Sequence, residues 1–236
     1  MCTVSLIPLD FGCFVLTSNR DESPNRATLQ PDFYVIDNAK ALFPKDEIQG
    51  GTWIGVSTKK RALCLLNGGF TNHKRVLPYK TSRGLIVKEF LASDNLLSEI
   101  EIYDFDNIEP FTLVIVEWSS NLKFYEFVWD GIKKHLKNLD LKPHIWSSST
   151  LYDSNMKQER LQWFKEFVSS NTLNNNSILS FHKNKKTDNV YYGVIMDRNI
   201  VKTTSITQII KDKQCIKMHF EDLQHNSESL IQFNGI

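Results

Sequence analysis

The sequence has no CxxC pair, and none of its four cysteines, Cys2, Cys13, Cys64 and Cys215, has a histidine at zinc-finger spacing. A metal knuckle is therefore not expected, and thiols this sparse suit a reducing, cytoplasmic compartment. Charge of one sign is also missing: 28 Lys and Arg stand against 27 Asp and Glu, a formal net charge of +1. No general field gathers nucleic acid or anionic lipid. The short basic runs, Lys59-Lys60-Arg61 and Lys183 with Lys185-Lys186, read as solvated turns. The opening MCTVSLIPLDFGCFVL has no basic leader and is broken by Asp10 and a turn at Asp10-Phe11-Gly12, so neither a signal peptide nor a membrane span is expected. The 10 glycines form no phosphate-binding loop, and no repeat or Pro/Gly/Ser linker marks a boundary. The expectation is one domain over residues 1–236 without a cofactor.

What is present is enough apolar material for a large core, 41% hydrophobic against 23% charged residues. Strand-like runs at Cys2 to Ile7 and Cys13 to Thr17 flank a short turn, and Thr52 to Ser57 and Arg61 to Leu66 flank Thr58-Lys59-Lys60. A helix is expected from about Ser82, capped by Thr81 or Ser82, with Ile86, Val87, Phe90, Leu91 and Leu97 on one face. Phe111 to Val116 and Lys123 to Trp129 form a further pair of strands. A second helix runs from about Asn155 to Ser170 with Leu161, Trp163, Phe164, Phe167 and Val168 inward, and Asn171 to Ser177 reads as a loop. Val190 to Met196, Val201 to Ile210 and Gln214 to Phe220 read as a meander, with a fraying tail after Leu223. This order lacks regular βαβ alternation and points to an α+β fold of antiparallel sheets flanked by helices.

Cys2 carries the chemistry. Removal of Met1 would leave a thiol and a free α-amine on one residue. The ordinary pKa of an α-amine, about 7.7–8.0, lies close to that of a thiol, about 8.5, so the amine can accept the thiol proton at neutral pH. A hairpin with strands starting at residues 2 and 13 brings Asn19-Arg20-Asp21-Glu22 near the start of the first strand. Arg20 is then placed to stabilise a Cys2 thiolate and Asp21 to hold the protonated amine. Asn67, followed by Gly68-Gly69, could aim an amide N–H at a developing oxyanion, and Trp53 in Gly50-Gly51-Thr52-Trp53-Ile54-Gly55 could wall the pocket.

Met1-Cys2-Thr3, Asn19-Arg20-Asp21-Glu22, Gly50-Gly51-Thr52-Trp53-Ile54-Gly55 and Asn67 together resemble the NRDE family, also described as transport and Golgi organisation proteins. The family is similar to cysteine N-terminal-nucleophile (Ntn) hydrolases such as penicillin V acylase and bile salt hydrolase. That resemblance implies a four-layer αββα sandwich, an Ntn-type site at Cys2, Arg20 and Asp21 with Asn19 nearby, and a small-molecule acyl amide or acyl thioester as substrate. Where the acylases place a second oxyanion Asn and a distant Arg, this chain has Trp146-Ser147-Ser148-Ser149-Thr150 and Arg160, so Ser148 and Arg160 join the pocket candidates with a hydroxyl in place of an amide. The resemblance also implies a competing role in another class, a non-enzymatic carrier in haem trafficking or in lipid and acyl-CoA homeostasis.

Overall fold

The structure is a computed structural model that describes residues 3–185 and 189–234. Met1, Cys2 and Lys186, on which sequence expectations fall, lie outside the described residues. The chain forms two compact units, one from residues 3–26 and 141–234, the other from residues 27–140.

The first unit is a six-stranded antiparallel sheet. Its strands are β1 (Thr3–Leu9), β2 (Cys13–Glu22), β10 (His144–Ser147), β11 (Lys202–Lys211), β12 (Ile216–Asp222) and β13 (Ser227–Phe233), in the order β10-β1-β2-β11-β12-β13. Phe11 and Gly12, at φ 60° and 73°, turn the chain between β1 and β2 so that Leu9 pairs Cys13 and Thr3 pairs Asn19. Two left-handed residues in succession are what a tight hairpin needs, and Gly12 takes the second at no steric cost. Helices α3 (Ser154–Ser170) and α4 (Asn175–His182) cover one face. Their Phe164, Ile178 and Phe181 close over Ile7 and Val15 of the hairpin. Asp153 caps α3 through the Met156 N–H, and Asn174 with Ser177 forms a capping box on α4.

Three sequence expectations change in this unit. Asn171 to Ser177 is only partly loop, because the Asn174 cap starts α4 at Asn175. Val190 to Met196 is a run of turns and bends, its Val194 and Met196 buried from irregular backbone, so burial alone mimics a strand. The tail after Leu223 does not fray but pairs as β13 along β12. In α3, Trp163, Phe164, Phe167 and Val168 pack on this core as expected, but Leu161 is 41% exposed and Arg160 is buried.

The second unit is a seven-stranded antiparallel meander of β3 (Thr28–Ile36), β4 (Ala39–Asp46), β5 (Ile54–Ser57), β6 (Arg61–Asn67), β7 (Phe111–Glu117), β8 (Lys123–Trp129) and β9 (Lys134–Leu139), ordered as in the chain. Helices α1 (Arg83–Ala92) and α2 (Leu96–Ile102) belong to it, and α1 buries Ile86, Val87, Phe90 and Leu91. The glycine motif makes that docking possible. A Cβ on Gly51 would lie 2.5 Å from the Gly84 carbonyl carbon, and the Thr52 N–H donates to the Gly84 carbonyl at 3.0 Å. Arg61, expected in a solvated turn, is instead buried. It donates to the Glu117 carboxylate at 2.8 Å and to the Phe90 carbonyl at 2.9 Å, tying α1 to the sheet.

The protein is therefore α+β, two antiparallel sheets with four helices among the described residues. No helix among them is long and apolar enough to cross a membrane.

Candidate functional site at the open end of the first hairpin

Side chains alternate across a strand, and this separates Arg20 from Asp21. Asp21 shares a face of β2 with Asn19 and Thr17, the face on which Thr3 and Ser5 lie in β1 and over which α3 and α4 pack. Arg20 shares the opposite face with Ser18 and Leu16, alongside Val4 and Leu6. Both ions are almost wholly buried, at 2% and 3% exposure. Burial at that level holds a charge only where hydrogen bonds replace the lost water.

A β-bulge supplies those bonds. β11 pairs Thr203 with Asp21 and Ser205 with Arg20, which leaves Thr204 as the extra residue. The Thr203 hydroxyl accepts from the Met196 N–H at 3.0 Å, so its own proton goes to Asp21 Oδ1 at 2.6 Å. The Thr204 hydroxyl meets Arg20, donating to its carbonyl at 3.1 Å and accepting from its Nη1 at 3.4 Å. Arg20 Nη1 also donates to the Arg26 carbonyl at 3.2 Å. One irregularity in β11 thus serves both ions.

The second Asp21 oxygen, Oδ2, accepts from the Tyr152 hydroxyl at 2.8 Å. Tyr152 is 2% exposed, and its ring lies 4.2 Å from the Arg160 guanidinium carbon and 5.5 Å from that of Arg198. Arg160 in turn donates from Nε to the Ser147 hydroxyl at 2.9 Å and from Nη1 to the carbonyls of Tyr192 and Gly193 at 2.6 and 2.7 Å. Its Nη2 donates to the Thr3 hydroxyl. The guanidinium carried by α3 therefore grips β1 and β10 side by side.

Asn19 sits one position before Arg20 in a second buried network. Its side-chain N–H groups donate to the carbonyls of His182 at 3.0 Å and Val194 at 2.8 Å. Its oxygen must then accept from His182 Nδ1 at 2.6 Å, which leaves Nε2 to accept from the Ser5 hydroxyl at 2.7 Å. This tautomer is neutral. Complete burial, helped by the nearby Arg160 charge, lowers the His182 pKa from its ordinary 6.5 to about 3.

Of the sequence-derived candidates, the structure brings Asn19, Arg20, Asp21, Ser148 and Arg160 into one unit, and places Asn67 and Trp53 in the other. Ser148 follows β10, 1% exposed, its hydroxyl 2.8 Å from that of Thr150. Asn67 ends β6, where Gly68 turns at φ 83° and its N–H donates to the Pro110 carbonyl at 3.0 Å. Trp53 is 3% exposed beside the Gly51 docking point. Tyr152, Thr203 and His182 carry no mark in the sequence. Tyr152 and Thr203 lie 131 and 182 positions from the carboxylate they bind, so no local spacing reveals them. Among the described residues, His219, Glu221 and Glu228 bring ligand atoms within 4.8 Å of one another, but the Lys183 ammonium already sits 2.5 Å from Glu221.

A family model described as Transport and Golgi organisation 2 matches residues 7–231. The chain belongs to this family. The Transport and Golgi organization 2 homolog of Mus musculus is 36% identical over 85 residues, which cover 34% of this chain and 29% of the mouse protein. In three dimensions the chain is similar to a Caenorhabditis elegans N-acylethanolamine-hydrolyzing acid amidase ortholog. The TM-score is 0.62 at 10% identity, over 89% of this chain and 92% of that one. It is also similar to conjugated bile acid hydrolase from Clostridium perfringens. An arginine-to-leucine variant of that enzyme gives a TM-score of 0.55 at 10% identity, over 98% of this chain and 92% of that one. These are proteins of the Ntn-hydrolase fold, so this member of the Transport and Golgi organisation 2 family has that fold.

Proposed function

We propose that the protein is an N-terminal-nucleophile hydrolase in which Cys2, after loss of Met1, attacks the carbonyl of a small acyl amide or acyl thioester. The observation that carries this reading is the pair of buried, oppositely placed ions at the open end of the first hairpin. The register Thr3 with Asn19 brings the start of β1 beside the residue that precedes the Arg20–Asp21 pair. Thiolate and ammonium would each find the counter-charge they need. The fold shared with an amidase and a bile acid hydrolase supports an acyl-transfer site.

In this reading the Cys2 α-amine takes the thiol proton and the thiolate adds to the carbonyl carbon. The resulting oxyanion is held by hydrogen-bond donors. Collapse expels the amine or thiol, which leaves with the proton from the ammonium, and an acyl-Cys2 thioester forms. Water, deprotonated by the same amine, hydrolyses it to a carboxylic acid and restores the thiol. The sequence resemblance alone nominates Asn67 as oxyanion donor and Trp53 as a pocket residue, with the Ser148 hydroxyl where the acylases have an amide. Asn19 and Arg160 act from behind, through β2 and β1.

The test is acid-quenched intact mass after incubation with a panel of N-acyl amides and acyl thioesters. The expected result is an acyl adduct mapping to Cys2 and free acid in solution, both lost in Cys2→Ala. No adduct and no product from any of them, with haem or a long-chain acyl-CoA bound equally by the parent protein and Cys2→Ala, would replace this reading by that of a carrier.

A further inference from the structure

We propose that Tyr152 and Thr203 are positioning residues for the Asp21 carboxylate and thereby set the pH at which Cys2 becomes nucleophilic. This rests on the hydrolase reading above. A carboxylate 3% exposed can point in several directions and is costly as an ion unless its oxygens are taken up by donors. Here each oxygen is fixed by a hydroxyl whose proton has one destination. Thr203 Oγ1 already accepts from the Met196 N–H and so donates to Oδ1, while the Tyr152 hydroxyl donates to Oδ2. The two donors come from different parts of the chain, β11 at the bulge and the turn before α3, so they hold the plane of the carboxylate as well as its charge.

Tyr152 is itself held. Its ring lies against the guanidinium of Arg160, which also grips the hydroxyl of Thr3, the residue covalently next to Cys2. A cation over a phenol ring draws electron density from it and strengthens the O–H as a donor. Asp21 on β2, through Tyr152, and Thr3 on β1 are thus held by the same guanidinium of α3. Removing one hydroxyl leaves the carboxylate with the same single charge but free to turn, so it holds a neighbouring ammonium less well, and the ammonium–thiolate pair then forms only at higher pH.

The experiment follows the rate of Cys2 alkylation by iodoacetamide against pH in the whole protein, with the modified peptide quantified by mass spectrometry. Tyr152→Phe keeps the ring near Arg160 and Arg198 and removes only the hydroxyl. It is expected to move the midpoint of the profile upward by about half a unit to one unit, the size of change that loss of one hydrogen bond to a carboxylate makes in nearby groups. Thr203→Val is expected to move it in the same direction, and Thr203→Ser, which keeps the hydroxyl, to restore the parent profile. A midpoint unchanged in both Tyr152→Phe and Thr203→Val, while Asp21→Asn shifts it, would overturn the positioning role and leave the nucleophile reading standing. A parent Cys2 no more reactive than a free thiol would remove both.

Discussion

At the scale of single residues, His182 makes the most direct statement about stability. It is neutral in the fold with a pKa near 3, whereas an unfolded chain takes up a proton at about 6.5. Below pH 6.5 the unfolded state therefore binds the extra proton, and stability falls by about 1.4 kcal/mol per pH unit until the folded pKa is approached. The contribution is fully present above 6.5. Between about 6.5 and 5 ordinary carboxylates remain ionised in both states, so this window belongs to histidine. Urea unfolding at about pH 7 and about pH 5 is expected to show the loss in the parent protein. His182→Gln is expected to be less stable at neutral pH, with a smaller difference between the two conditions. An unchanged slope in that variant would mean that another group titrates. The signature asparagine also acquires a physical reason here, since Asn19 is the residue that fixes the His182 tautomer and pins α4 to β2. Its neighbours Arg20 and Asp21 are legible in the sequence as a charged stretch following the apolar run Cys13 to Thr17, although β2 continues through them to Glu22. Their partners Tyr152, Thr203 and Thr204 are not, because a hydroxyl reaching a buried ion across the fold leaves no periodic trace.

At the scale of elements, the sequence pattern exposes what is apolar and continuous, and hides what is polar or interrupted. The β1–β2 hairpin and the β6, β7 and β8 strands follow from runs such as Phe111 to Val116. β3 and β4 escape it because Pro31 and Asp32 interrupt one, with a register shift between Leu29 and Asp32, and Pro44 interrupts the other. β9, Lys134-His135-Leu136-Lys137-Asn138-Leu139, and β13, Ser227-Glu228-Ser229-Leu230-Ile231-Gln232-Phe233, lack a continuous apolar run and lie at sheet edges, where polar strands are the rule. The inward face of α3 follows its apolar periodicity at Trp163, Phe164, Phe167 and Val168 and also takes in Arg160, solvent-facing by residue type, because its head is received by five hydrogen-bond acceptors or rings. The Gly50-Gly51 turn is where an element-level prediction is sharpest. Gly51→Ala puts a methyl group into the backbone of α1 and is expected to cost about 1–3 kcal/mol as overpacking. Gly12→Ala meets no atom within 4 Å and loses only its left-handed freedom, expected to cost about 1 kcal/mol. Thermal unfolding of the two variants separates the cases, and a Gly51→Ala protein as stable as its parent would show that α1 has room to move away from the turn.

At the scale of the whole molecule, the chain is a member of the Transport and Golgi organisation 2 family with an Ntn-hydrolase fold, and its near-zero net charge gives no long-range steering. The rate of Cys2 alkylation by uncharged iodoacetamide is therefore expected to change little from low salt to physiological ionic strength, because its determinants are buried groups rather than a surface field. A steep fall with salt would transfer the control to exposed charges. The central claim is that Cys2 is an activated N-terminal nucleophile. Intact mass of the protein made without an N-terminal tag, before and after brief exposure to iodoacetamide and with peptide mapping of the label, tests it most directly. Met1 is expected to be absent and Cys2 alone to react rapidly at neutral pH, with the rate falling in Arg20→Ala and Asp21→Asn. Retention of Met1, or a Cys2 that reacts no faster than free cysteine, would contradict it.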